Sequence, residues 1–76
     1  MKFKIDETVF ICSINLSNTS YKIYQEQITN IDTKNKKYIF NPAGTDWYIS
    51  ENYVFKNKQE AINYGEANIK KEEIYY

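Results

Sequence analysis

The chemistry available to this chain is limited by its side chains. Of its ten acidic residues, Asp6, Glu7, Asp46, Glu51, Glu72 and Glu73 are those that could supply a carboxylate pair for general acid and base work. Such a pair needs a cleft between walls, and a chain of 76 residues buries only about 60% of the surface its unfolded form exposes. Histidine is absent, so the usual proton carrier near neutral pH and the base of a nucleophilic triad are both missing. Cys12 is the one cysteine, set in the apolar run Thr8-Val9-Phe10-Ile11-Cys12, and reads as a buried thiol. With no second cysteine, no histidine, and two widely separated glycines, the sequence predicts no metal site, no cofactor site and no phosphate-cradling loop. No catalytic residue is expected, and the chain does not read as an enzyme.

Binding chemistry is better supplied. Lys34, Lys36 and Lys37 form a local cluster that could meet phosphates, with Lys22 as a further candidate. Ten lysines balance ten acidic groups, however, and arginine is absent, so a basic nucleic-acid-binding face is disfavoured. Thirteen aromatic residues, eight of them tyrosine, exceed what a core of this size hides. Tyrosine joins a large apolar body to a hydrogen-bonding tip, which suits protein interfaces. Strand parity puts Trp47 and Ile49 inward and Tyr48 outward, sets Tyr24 opposite Tyr21 and Ile23, and leaves Tyr53 at a strand exit. The expected partner-binding patch is therefore Tyr24, Tyr48 and Tyr53, with Tyr38 added. Tyr75 and Tyr76 offer a contact for self-association.

The elements that must carry these residues are short strands followed by one helix. Eleven isoleucines and the aromatics favour strands, although an AT-rich coding genome would enrich isoleucine, tyrosine, asparagine and lysine as well. Thr8 to Ile14 is the first full strand, Lys2 to Ile5 is a short strand candidate before it, and Asn15 to Ser20 is a polar break. Tyr21 to Asp32 changes parity between Ile23, Ile28 and Ile31, which requires a bulge or bend near Gln25 to Asn30. Asp32 to Lys36 turns into Tyr38-Ile39-Phe40, Asn41-Pro42-Ala43-Gly44 turns again, and Asp46 to Ser50 follows. Tyr53-Val54-Phe55 is a fifth strand or an extended lead into the helix. Asn57 with Glu60 resembles a capping box, and the spacing predicts a helix over about 58–73 with Ala61, Ile62, Gly65 and Ile69 on the sheet.

The fold class expected is mainly β with a C-terminal helix: a small five-stranded barrel or a strongly curved antiparallel sheet, in one domain spanning 1–76, with strands within about 2–55. This order of parts looks like a small Src-homology-3-like barrel. The span from Tyr21-Lys22-Ile23 through Ile28-Thr29-Asn30-Ile31, Lys37-Tyr38-Ile39 and Trp47-Tyr48-Ile49-Ser50-Glu51 to Val54-Phe55-Lys56-Asn57-Lys58-Gln59-Glu60-Ala61 resembles a loose group of uncharacterised small proteins. They occur in low-GC Gram-positive bacteria, their phages and their mobile elements, and an ending of the type Val-Phe-x-x-Lys-x-Glu-Ala recurs among them. Here Gln59 separates lysine from glutamate and asparagine takes the cap position. The resemblance covers about 8–64 and implies a fold and a mobile-element setting, with no functional residues to carry over. No export signal or membrane span is visible, so a soluble, cytoplasmic protein is expected. Together these features predict a non-enzymatic module that binds a protein, in the narrowest form a phage or mobile-element inhibitor of a host defence complex. The alternative is a small barrel that binds single-stranded nucleic acid weakly.

Overall fold

A computed structural model describes residues 1–70 as six strands and one helix. The strands are β1 (Thr8–Ile14), β2 (Tyr21–Gln27), β3 (Asn30–Asp32), β4 (Lys37–Phe40), β5 (Trp47–Ser50) and β6 (Val54–Phe55). A 3-10 turn, Glu51–Tyr53, joins β5 to β6, and helix α1 runs Lys58–Asn68. Pairing is antiparallel throughout, in two three-stranded sheets ordered β2-β1-β6 and β3-β4-β5.

The protein is thus mainly β with a C-terminal helix, but two expectations are corrected. The described residues form six strands rather than five, because the long bent strand expected over Tyr21 to Asp32 divides into β2 and β3, which belong to different sheets. The strands also form two separate ladders rather than one closed barrel. Lys2 to Ile5 is not a strand. That segment instead drops Phe3 into the core, 5% exposed, where its backbone N–H donates to the Tyr38 hydroxyl at 2.8 Å.

The bend expected between Gln25 and Asn30 is where the chain changes sheets. The Ile28 N–H donates to the Glu7 carbonyl at 3.0 Å, on the first sheet's side. One residue later, the Thr29 N–H donates to the Ile39 carbonyl at 2.8 Å, in the second sheet. Ile28 itself is fully buried at this corner. Between the sheets lies a core of Phe3, Val9, Ile11, Ile28, Tyr38, Phe40 and Val54, bordered by half-buried Tyr24, Ile31, Trp47 and Ile49.

The first sheet is covered on both faces. Residues of one parity, Val9, Ile11 and Val54, enter the inter-sheet core. The other parity includes Cys12 and Ile14 with their cross-strand neighbours Ile23 and Tyr21, and α1 lies over it. Ala61 and Gly65 are the buried helix residues, with Ile62 and Tyr64 half-buried beside them, so the predicted inward stripe holds at Ala61, Ile62 and Gly65, gains Tyr64 and loses Ile69, which lies past the helix end. Gly65 allows close approach: a Cβ there would meet ring carbons of Tyr21 at 2.6 to 2.8 Å.

The helix starts where expected, because the Asn57 side-chain oxygen accepts the Glu60 N–H at 2.9 Å. No return bond from the Glu60 side chain occurs among the described residues, so half of the capping box forms. The helix ends at Asn68 rather than near residue 73. Ile69 takes an extended conformation, and the Lys70 N–H turns back to the Asn18 carbonyl on the β1–β2 hairpin. Asn57→Ala is expected to cost about 1 kcal/mol in urea unfolding with little change in the slope, since it exposes one helix donor and removes no packing.

Candidate functional site

The β1–β2 hairpin, the 3-10 turn and the end of α1 enclose an open groove of about 490 Å³. Its apolar lining is Ile14, Leu16, Ile49, Tyr53 and Tyr64; Asn15, Asn18 and Asn68 supply amides, and Cys12 lines it too. Burial pushes the Cys12 thiol's pKa up, so it stays protonated and unreactive at neutral pH.

Each wall is set by local chemistry. The hairpin tip is braced by Asn15, whose side-chain oxygen accepts the Thr19 N–H at 2.8 Å and the Ser20 N–H at 3.1 Å. The Asn15 amide donates to the hydroxyls of Ser17 and Thr19, at 3.1 and 3.0 Å. Asn18 takes a left-handed φ of 55°, which asparagine tolerates better than most residues. On this braced loop Leu16, the chain's one leucine, is fully exposed. Across the groove Tyr64 is the middle ring of three: it meets Tyr53 edge-on at 5.7 Å and Phe55 tilted at 5.3 Å. Tyr64 is half-buried, and burial followed by the neighbouring Tyr53 raises its phenol pKa. Tyr53 leaves 39% of its surface exposed at the rim.

The tyrosines expected to form one outer patch are dispersed. Tyr38 is fully buried between the sheets, which removes it from any patch; its strand turns that face inward and Phe3 covers it, the rings 5.6 Å apart. Tyr24 is half-buried, edge-on to Trp47 at 5.6 Å, because the inter-sheet face of β2 carries Tyr24 while Tyr21 and Ile23 lie on the helix side. Tyr48 is 55% exposed on the outer face of the second sheet, across from Ile39. Tyr53 alone joins the groove. Tyr75 and Tyr76 lie outside the described residues, as do Glu72 and Glu73.

Sequence reasoning missed Leu16 and Tyr64. Leu16 sits in a polar turn, where one apolar residue gives no periodicity; Tyr64 could have been found, since it follows Ala61 at helical spacing.

Lys34, Lys36 and Lys37 lie around the β3–β4 turn, the first two exposed and the third half-buried. Asp32 stands among them. Its carboxylate accepts the Asn35 side-chain amide at 2.9 Å and the Asn35 N–H at 3.2 Å, and these bonds hold its pKa below the usual carboxylate value. The turn therefore carries a fixed negative charge inside its lysine cluster. Among the described residues no three metal-ligating side chains come together, and no helix is long and apolar enough to cross a membrane. No family model, no curated protein and no solved structure matches the chain.

Proposed function

We propose that this protein is a non-enzymatic binding module whose groove between the β1–β2 hairpin and α1 takes a short apolar or aromatic segment of a partner protein. The observation that carries this reading is that Leu16 and Tyr53, two exposed apolar side chains, line one groove together with Ile14 and Tyr64. Large side chains held in water on a braced loop and edge-on against a neighbouring ring lose little freedom when a partner covers them. Asn15 is engaged within the hairpin and the Asn68 NH2 group donates to the Tyr64 carbonyl, which leaves the Asn18 amide and the Asn68 side-chain oxygen to bond a partner's backbone.

A relation to small Src-homology-3-like barrels belongs to the same proposal, supported by the bent β2–β3 passage and the strand-to-helix order. The narrower reading, a phage or mobile-element inhibitor that occupies a host protein's surface, draws support from neutral net charge, since a mimic of DNA would be acidic. Weak binding of single-stranded nucleic acid remains the competing class, and the Asp32 carboxylate within the lysine turn counts against it.

The test is selection from a random-peptide library displayed on phage, followed by NMR titration of a selected peptide. Selected sequences should be rich in aromatic and aliphatic residues and should shift the amides of Ile14, Leu16, Tyr53 and Tyr64. Tyr53→Ala and Leu16→Ala should each weaken binding at least tenfold, the effect of losing about 1.4 kcal/mol, while Tyr48→Ala leaves it unchanged. Shifts confined to Lys34 to Lys37, with affinity falling steeply in salt, would replace this reading by the nucleic-acid one.

A further inference from the structure

β2 is an edge strand with one side open, and the phase of its hydrogen bonds identifies which groups are free. Ile28 donates to the Glu7 carbonyl and Asn15 donates to the Ser20 carbonyl, both in the register that pairs β1 with β2. Backbone groups alternate in direction along a strand, so Lys22, Tyr24 and Glu26 bond to β1 while Tyr21, Ile23, Gln25 and Gln27 aim their N–H and C=O groups away from it. Among the described residues no backbone partner meets those outward groups. At seven residues β2 is also longer than the other edge strands, β3, β5 and β6.

We propose that this open edge pairs antiparallel with the same edge of a second copy of this chain, about a two-fold axis at Tyr24, to make one continuous six-stranded sheet. The sequence of β2, Tyr-Lys-Ile-Tyr-Gln-Glu-Gln, is self-complementary in that register and in no neighbouring one. Centred on Tyr24, the pairing sets Lys22 of each copy opposite Glu26 of the other. It also sets Ile23 opposite Gln25 and Tyr21 opposite Gln27, and those four positions are the ones whose backbone groups are free. Sliding by two residues keeps the hydrogen bonds but brings Tyr24 opposite Lys22 or Glu26 and loses both ion pairs. A lysine on an edge strand ordinarily discourages pairing; here its counterpart on the second copy selects the register. Lys22, Tyr24 and Glu26 would form the closely spaced, non-hydrogen-bonded pairs, in which side chains interact most strongly. Tyr24 already rests edge-on against Trp47, so the axis would gather two tyrosines and two tryptophans into one row.

Sedimentation of the full chain over a range of concentrations tests this, together with fluorescence of Trp47, the one tryptophan. The wild type should dimerise and shift its Trp47 emission with the same midpoint. Lys22→Glu and Glu26→Lys should each raise the dimer Kd about tenfold at low salt by facing like charges at two symmetric places, and the double swap should restore it. Gln25→Pro, which removes one outward donor at an exposed position, should abolish dimers while the circular dichroism stays that of the wild type. A wild type that remains monomeric to its solubility limit overturns the proposal. So does a dimer that tolerates Lys22→Glu, or a double swap that fails to rescue. Should Gln25→Pro fail to fold, the charge-swap series decides alone, since it leaves the backbone unaltered.

Discussion

Tyr38→Ala is expected to lower the chain's stability by about 5 kcal/mol, visible as a large fall in its urea midpoint. A domain of 76 residues has roughly 4–11 kcal/mol of stability, and removing a buried aromatic ring costs about 3–5 kcal/mol. The upper part of that cost applies here. Tyr38 is fully buried at the centre of the inter-sheet core, packs on Phe3, and accepts the Phe3 N–H. The milder Tyr38→Phe separates the ring from its hydroxyl. It keeps the packing and strands the Phe3 donor, at an expected cost of about 1–3 kcal/mol in urea unfolding. If Tyr38→Phe were neutral, the Phe3 N–H would have to find water, and the N-terminal segment would contribute little to the core.

Gly65→Ala is expected to destabilise the protein, against the usual preference. Inside an exposed helix the change gains about 1 kcal/mol. Here the new methyl would stand 2.6 to 2.8 Å from three ring carbons of Tyr21. That ring cannot easily swing aside, since its hydroxyl donates to Glu66 at 2.8 Å, a bond that also raises the phenol's pKa. Either the helix lifts or the ring leaves its place, and overpacking of this kind costs about 1–3 kcal/mol. Set against the helix gain, the net loss should be up to about 2 kcal/mol, read as a lower melting temperature. A second background makes the cause explicit. With Tyr21→Ala already present the obstruction is gone, so Gly65→Ala should become stabilising. The same sign in both backgrounds would mean that the helix does not rest on Tyr21.

What the sequence shows of this fold follows how sharply each segment is bounded. Thr8–Ile14 is legible to its ends because a polar run follows it and its apolar residues crowd together. The bend in Tyr21 to Asp32 is legible because Ile23, Ile28 and Ile31 cannot share one face of a straight strand. The direction of Tyr24 is not legible, since parity tells two faces apart only when one of them is wet, and β2 lies between a helix and a second sheet. The same applies to Tyr38, whose phenol looks like a surface group until Phe3 arrives to cover it. Of the expected patch, Tyr53 is found at the groove and Tyr48 on a separate face. The groove's remaining lining comes from a turn and a helix far apart in sequence, and no local pattern joins them.

The passage at Ile28 and Thr29 bears on how the molecule can be taken apart. Neighbouring residues are tied to different sheets there, and the 3-10 turn from β5 to β6 is a second crossing, so a force that peels one sheet away acts through both connections on the other. No seam runs between the halves, and fragments separated there would each take an open corner with them. The exposed Asn41–Asp46 connection, held by one amide-to-carboxylate bond at 2.8 Å, lies within one sheet and is the better place to splice in a foreign loop or a reporter.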